Sequence, residues 1–153
     1  MATKLKSKDS ELHDADFYVW AERQAALLRA RRFDDLDLEN LVEEVEDLGG
    51  ALKRSVLNNA AVIVEHLLKL ELSPAVDPRN GWRSSVREHR RRLRFELTPR
   101  LRQILTEELA TVYDLARQDA AAALRDYGEH AAADAVPAHC PYIIDQITGD
   151  WLP

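Results

Sequence analysis

The sequence predicts an all-α fold, a single compact helical bundle of four to six helices. Apolar residues recur at intervals of three and four in every long segment, which is the spacing of one face of an α-helix. No segment alternates apolar and polar residues between hairpin turns, so we expect no sheet. The chain has 153 residues, 46% hydrophobic and 31% charged, enough for a core without disulfides or a structural metal. We expect residues 14–153 to form one domain after a flexible arm over residues 1–13.

The first helix is predicted to begin after Asp14 or Asp16, since either carboxylate can cap its N-terminus. Three arginines load its last turn and favour the negative end of the helix dipole, at Arg29, Arg31 and Arg32. Its apolar face consists of Phe17, Trp20, Ala21, Gln24, Leu27 and Leu28.

Asp37 is the predicted N-cap of a second helix that runs to about Leu72. Residues 33–49, around its start, hold eight acidic side chains and no basic one. The same segment keeps a helical apolar stripe that should form core. Each glycine of Gly49-Gly50 costs about 1 kcal/mol in a helix interior, and the sequence leaves open whether the helix breaks there. The stripe consists of Leu38, Leu41, Val42, Val45 and Leu48.

The second half of the chain is predicted to contain a loop followed by two further helices. The loop spans residues 73–81, which include two prolines and an Asn-Gly pair. A helix over residues 82–97 follows. Thr98-Pro99 is a cap with proline at the first helical position, which starts another helix that ends at Gly128. The tail has a turn at Cys140-Pro141 and a possible short helix over residues 142–147.

Motifs spread along the chain resemble a bacterial family of unknown function, the domain-of-unknown-function family twenty-nine. The resemblance covers nearly the whole chain from Asp16, and it implies an all-helical fold in a bacterial cytoplasm. It transfers no catalytic residue, because none is assigned to the family. The matching residues are Asp16 to Ala21, Gln24, Leu27 to Arg29, Arg32-Phe33, Leu36-Asp37, Glu39 to Leu41, Glu43-Glu44, Glu46 to Gly49, His66 to Lys69, Trp82, Cys140 to Tyr142, Gln146 and Trp151 to Pro153.

Several classes of function are excluded by composition. The five glycines do not form a G-x-G-x-x-G motif or a P-loop. The single cysteine, Cys140, excludes an internal disulfide and paired-cysteine zinc sites, and fits a reducing compartment. No apolar run is long enough for a bilayer, and no apolar region of a secretory signal follows the N-terminal lysines. We therefore expect a cytoplasmic protein without a membrane partner.

His66 and His89 are the first candidate site, because each lies on an apolar helix face. If their helices pack together, the imidazoles could meet near Glu43 or Asp47 of the acidic helix. Such a cluster could bind a metal or act as an acid–base pair. We favour the other interpretation, two core histidines hydrogen-bonded to neighbouring groups, and predict neither a metal nor another cofactor.

The arginine-rich stretch over residues 83–102 is the second candidate, an interaction surface. It could follow the phosphates of a nucleic acid. The net charge of −6 and the acidic helix oppose such binding, so we do not expect it. We expect the two oppositely charged helices to face each other, within one chain or across a dimer. The arginines of this surface are Arg83, Arg87, Arg90, Arg91 and Arg94.

These observations predict a non-enzymatic protein-interaction or regulatory module. Its partner is another protein or a second copy of the chain, because two helices of opposite charge are suited to pairing. Two alternatives remain from other classes. One is a metal-dependent or acid–base enzyme that uses His66 and His89 with helix carboxylates; the other is a nucleic-acid-binding helical domain.

Overall fold

A computed structural model describes residues 8–153 of the chain. The all-α prediction is confirmed, since the described residues form helices and no strand. The eight α-helices of the described residues exceed the four to six predicted, because short helices lack a long periodic pattern in the sequence. The elements are α1 (Lys8–Ala15), α2 (Phe17–Arg29), a 3-10 turn (Phe33–Asp35), α3 (Leu38–Leu72), α4 (Arg79–Glu96), α5 (Pro99–Glu107), α6 (Leu109–Asp126), α7 (His130–Asp134) and α8 (Ile144–Thr148).

The chain divides into two compact units, Met1–Ala51 and Leu52–Pro153. Residues 8–13 of the expected flexible arm belong to helix α1, and residues 1–7 lie outside the described residues. Helix α3 contributes its first part to one unit and its second part to the other, and it runs through Gly49-Gly50 without a break. The organisation of residues 14–153 as a single domain stays a prediction.

The first unit contains α1, α2 and the beginning of α3. Asp16 caps α2 as predicted, because its Oδ1 accepts a hydrogen bond from the backbone N–H of Val19 at 3.1 Å. Helix α2 ends with the paired backbone bonds of a Schellman motif, from Arg31 to Leu28 and from Arg32 to Leu27, each at 3.0 Å. The left-handed position of this motif is held by Arg31, whose φ is 55°.

The second unit is built around the second half of α3, which is buried as predicted. Val56, Ile63 and Leu67 are almost fully enclosed, and they belong to one apolar core with residues of α4, α5, α6 and the C-terminal segment. Thr98 caps α5 and Pro99 occupies its first turn, as predicted. The core residues outside α3 are Trp82, Val86, Leu93, Leu105, Val112, Tyr113, Ala116, Ala120, Tyr142 and Ile147.

Two predicted boundaries in the second unit are wrong. Helix α4 begins at Arg79, so Asn80 and Gly81 lie in its first turn and not in the preceding loop. The helix predicted from residue 98 to 127 is interrupted at Glu108. Backbone hydrogen bonds still cross this position, and the Thr106 hydroxyl donates to the Arg102 carbonyl at 2.9 Å. A threonine bonded back in this way bends a helix, and neither proline nor glycine marks the interruption.

None of the helices in residues 8–153 is both long enough and apolar enough to cross a membrane.

Candidate functional site

Four of the five residues of the apolar stripe in the acidic segment are exposed, which corrects the prediction that the stripe forms core; Leu41 is half-buried. We call the five most exposed positions of this face the apolar row: they lie on the first half of α3, and the exposed fraction ranges from 48% at Val42 to 69% at Leu48. Periodicity shows that such residues share a face, but it does not show that anything covers the face. The row consists of Leu38, Val42, Val45, Leu48 and Leu52.

A different side of α3 packs within the first unit, through polar contacts around Trp20. The Trp20 indole Nε1 donates to Asp37 Oδ2 at 3.1 Å, and Asn40 Nδ2 donates to the same oxygen at 2.7 Å. The backbone N–H of Asp37 donates to Gln24 Oε1 at 2.9 Å. Trp20 and Gln24 are 2% and 1% exposed. The start of α3 is therefore held to α2 by satisfied polar groups.

His13 of α1 extends these contacts to a further position on α3. Its Nε2 donates to Glu44 Oε1 at 2.7 Å, and its ring meets the Trp20 ring edge to face, with centroids 4.7 Å apart. The hydrogen bond to Glu44 raises the pKa of His13, against a smaller opposing effect of desolvation. The protonated imidazole therefore binds Glu44 more strongly than the neutral one.

The first unit leaves much of its apolar surface uncovered. Among its described residues, the large buried hydrophobic side chains are those of Trp20 and Leu27. Its exposed ones include four members of the apolar row together with Phe17, Tyr18, Val19, Leu28 and Phe33. A surface so rich in exposed apolar side chains is typical of a protein–protein contact.

Exposed acidic side chains lie on the same part of α3, and one of them, Glu46, borders the apolar row. Glu43, Glu46 and Asp47 are exposed and make no ion pair with any other described residue. Residues 1–51 carry 13 acidic and seven basic side chains, whereas residues 52–153 carry 14 of each. The whole net charge of −6 therefore belongs to the first unit, which presents an apolar surface within a negative field.

His66 and His89 lie in the second unit, each partly buried. His89 Nδ1 donates to Asn59 Oδ1 at 2.7 Å, and Asn59 in turn donates to the Ser55 carbonyl at 2.9 Å. His66 Nδ1 is buried without a hydrogen-bond partner, 3.7 Å from Glu65 Oε1. Burial, and then the charge of Lys69, lower the pKa of His66 to about 4. Burial and Arg92 also lower the pKa of His89, so both imidazoles are neutral near pH 7.

The predicted cluster of these histidines with Glu43 and Asp47 stays a prediction. Glu43 and Asp47 are exposed residues of the first unit, and His66 and His89 are half-buried residues of the second. Between residues 8 and 153, no group of three or more His, Cys, Asp and Glu side chains is arranged to hold a metal ion.

The predicted arginine surface is wrong at one position, Arg90. This residue is 3% exposed, and its guanidinium donates to the backbone carbonyls of Gln146, Ile147 and Trp151 at 2.6, 2.9 and 2.8 Å. Burial lowers its pKa. Arg90 therefore holds the C-terminal segment against α4. Arg94 supports the same segment through Asp150, at 3.0 Å.

Three other predicted arginines, Arg83, Arg87 and Arg91, form what we call the arginine row. They follow one another at four-residue intervals on α4 and therefore share one face. Arg87 and Arg91 are exposed and Arg83 is half-buried. No described acidic residue forms an ion pair with any of the three.

Cys140 is not an activated nucleophile. Its Sγ donates to the Tyr142 carbonyl at 3.5 Å, and burial raises the pKa of the thiol. A reactive cysteine needs a lowered pKa, so Cys140 serves packing.

Sequence reasoning missed the polar contacts around Trp20. One signal was present, since Gln24 is a polar residue on the apolar face predicted for α2. Three further residues that make these contacts through their side chains fall within the motif that supported the family resemblance. They are Asp37, Asn40 and Glu44.

A model of the family described as Domain of unknown function DUF29 matches residues 12–152. The chain belongs to the DUF29 family. The range matched to DUF29 includes the Trp20 contacts, the apolar row and the arginine row. No curated protein and no solved structure matches the chain.

Proposed function

We propose that this DUF29 chain is a non-enzymatic protein-interaction module whose apolar row binds an amphipathic helix of a partner protein. The observation that carries the proposal is the exposure of five large apolar side chains on one face of α3. Side chains of this kind lose contact with water when a partner covers them, which is the main driving force of protein association.

The spacing of the apolar row favours a helix as the partner. Leu38, Val42, Val45 and Leu52 follow intervals of four, three and seven residues, which is the heptad repeat of a coiled-coil seam. Gly49 occupies the remaining seam position, and an added Cβ there would meet no atom within 4 Å. A partner helix can therefore approach closely at this point.

The charge beside the row favours basic residues on that helix. Glu46 borders the seam and makes no ion pair among the described residues. Lysine or arginine flanking the apolar positions of the partner would be attracted to the negative first unit, which increases the rate of association and rejects acidic partners.

The expected affinity is modest. Complete burial of the five half-exposed side chains contributes about 1 kcal/mol each to the free energy of binding. The loss of translational and rotational freedom on association offsets part of that contribution. Such a contact belongs with small, transient interfaces, which is appropriate for a regulatory module.

We further propose that the protein functions in the bacterial cytoplasm. Cys140 is the single cysteine of the chain and a half-buried free thiol, and a free thiol fits a reducing compartment.

A designed helical peptide tests the proposed binding. The probe has three heptads with leucine at the seam and lysine at the flanks. We expect saturable binding that Val45→Glu weakens about tenfold or more. The control, Leu115→Glu, changes a side chain of similar exposure, 57% against 61% for Val45, in the other unit, and should bind like wild type. Absence of binding, or equal losses in both variants, would contradict the proposal.

A further inference from the structure

We propose that Glu43 and Asp47 of one copy dock against the arginine row of a second copy. This is a contact of the chain with itself, separate from the apolar row, and it uses charged side chains that the described structure leaves unpaired. The acids come from the first unit of one copy and the arginines from the second unit of the other.

The arginine row has the geometry of a continuous docking surface. Successive members of the row, Arg83, Arg87 and Arg91, are about one helical turn apart. Their Cα atoms are therefore separated by about 6 Å along the helix axis. Nearby arginines are already engaged: Arg92 binds Glu88 at 2.6 Å and Arg94 binds Asp150. The positive charge of the arginine row is therefore unpaired within the described residues, unlike that of Arg92 and Arg94.

The acidic side of α3 offers the matching spacing. Glu43 and Asp47 are also one turn apart, are exposed, and make no ion pair within residues 8–153. Because both rows repeat every four residues, two helices laid side by side can align successive carboxylates with successive guanidinium groups. Arginine is suited to this contact because its planar fork binds a carboxylate through two parallel bonds.

An apolar side chain lies at the end of the arginine row. Phe95 continues the same four-residue spacing after Arg91 and is 87% exposed. Placed beside a second copy, its ring would add an apolar contact to the charged ones.

The charge distribution favours a second copy over a nucleic acid as the occupant. All of the net negative charge lies in residues 1–51, and a polyanion approaching the chain meets that repulsion. A second copy instead presents the acids themselves, so the arginine row gains partners of opposite charge.

The association should be weak and strongly dependent on salt. Exposed ion pairs contribute little individually and are screened by ions. Between about 0.01 and 1 M salt the screening length falls from about 30 to 3 Å. We expect a concentration-dependent dimer at the low end of this range and a monomer at the high end.

The test is sedimentation equilibrium of two charge-reversed variants of the full chain. One is Glu43→Lys with Asp47→Lys, and the other is Arg87→Glu with Arg91→Glu. Each alone should be monomeric at low salt, because like charges then face each other. An equimolar mixture should form a heterodimer, since the lysines of one variant meet the glutamates of the other and the unchanged rows also meet.

Matched controls separate this contact from general charge effects and from the apolar row. Asp119→Lys with Asp126→Lys makes the same change in net charge on α6 and should dimerise like wild type. Val45→Glu should dimerise too, so a failure of the proposed helix binding leaves this result unaffected. If circular dichroism shows that a charge-reversed variant does not fold, neutral variants replace it. These are Glu43→Gln with Asp47→Asn, and Arg87→Gln with Arg91→Gln. Each should weaken the dimer about tenfold or more.

Three results would overturn the proposal. One is wild-type protein that stays monomeric at low salt, including the case in which it binds single-stranded poly(U) through the arginine row. Another is a reversed or neutralised variant that dimerises as well as wild type. The last is a mixture of the reversed variants that remains monomeric, which would mean that the two rows do not meet between copies.

Discussion

The indole Nε1 of Trp20 donates to Oδ2 of Asp37 at 3.1 Å, and this bond joins the buried face of α2 to the residue that precedes α3. The same carboxylate oxygen also accepts from Asn40. Asp37 is thus part of the internal structure of the first unit, whereas Glu43, Glu46 and Asp47 of the same acidic segment are exposed.

Trp20→Phe should lower the free energy of unfolding by about 1–3 kcal/mol, because it keeps an aromatic ring but leaves a charged acceptor with one donor fewer. Urea unfolding of Trp20→Phe, Asp37→Asn and the double variant measures the coupling. Strictly additive losses would show that the bond contributes nothing.

The contact between His13 and Glu44 should make the first unit less stable as pH rises. Glu44 raises the pKa of folded His13 above the ordinary value of 6.5. The contact therefore stabilises the folded state fully below pH 6.5, and this stabilisation is lost as the pH rises through the raised pKa. NMR titration of His13, with melting temperatures from about pH 6 to pH 8, follows this loss. Glu44→Gln should return the pKa of His13 towards 6.5 and remove that part of the pH dependence; an unchanged titration would refute the assignment.

His66 should make the second unit less stable in acid. Its folded pKa is about 4 against 6.5 when exposed, so the unfolded state takes up a proton first and stability falls as pH drops through that interval. His66→Ala should remove this dependence, while costing about 1–3 kcal/mol at neutral pH through the void it leaves. Unfolding by urea at several pH values tests both effects. A variant as stable as wild type that had lost a copurifying metal would identify a metal site instead.

Arg90→Met should release the C-terminal segment from α4. The substitution keeps much of the side-chain volume but leaves three carbonyls without their charged donor, at a cost of at least about 2 kcal/mol. Limited proteolysis should then cleave after residue 140 faster than in wild type. Arg91→Met, one residue along and exposed, is the control and should be cut at the wild-type rate; equal rates in both variants would argue against the role of Arg90.

Arg31→Gly should stabilise the chain by about 0.5–1 kcal/mol, because glycine adopts a positive φ without the steric cost that a side chain carries. Arg29→Gly, inside the last turn of α2, should have the opposite effect and cost about 1 kcal/mol. Thermal unfolding of both variants decides the matter, and a destabilised Arg31→Gly would show that the arginine side chain makes a contact worth more than the strain.

Local signals in the sequence located the helices well. Asp16, Thr98-Pro99 and Gly128 act through the backbone of their own turn, so their effect does not depend on distant residues. The interruption at Glu108 carried no such signal, since it arises where a threonine hydroxyl bonds back to its own helix.

Burial was harder to predict than helix formation. The apolar row and the second half of α3 have similar spacing, yet one is exposed and the other enclosed. Arg90 looks like its arginine neighbours in sequence, and its burial depends on carbonyls that lie 56 to 61 residues away. Contacts between remote segments decide both cases, and periodicity within one helix holds no information about them.

The bonds that Arg90 makes also determine which changes the tail can tolerate. All three acceptors are main-chain carbonyls, and every amino acid supplies such a carbonyl. Replacing the side chain of Gln146 therefore leaves the acceptor in place. Inserting or deleting one residue between Ile147 and Trp151 shifts the register and separates the carbonyls that a single guanidinium must reach. Outside its buried core residues Tyr142 and Ile147, the tail should thus be permissive to substitution but intolerant of changes in length.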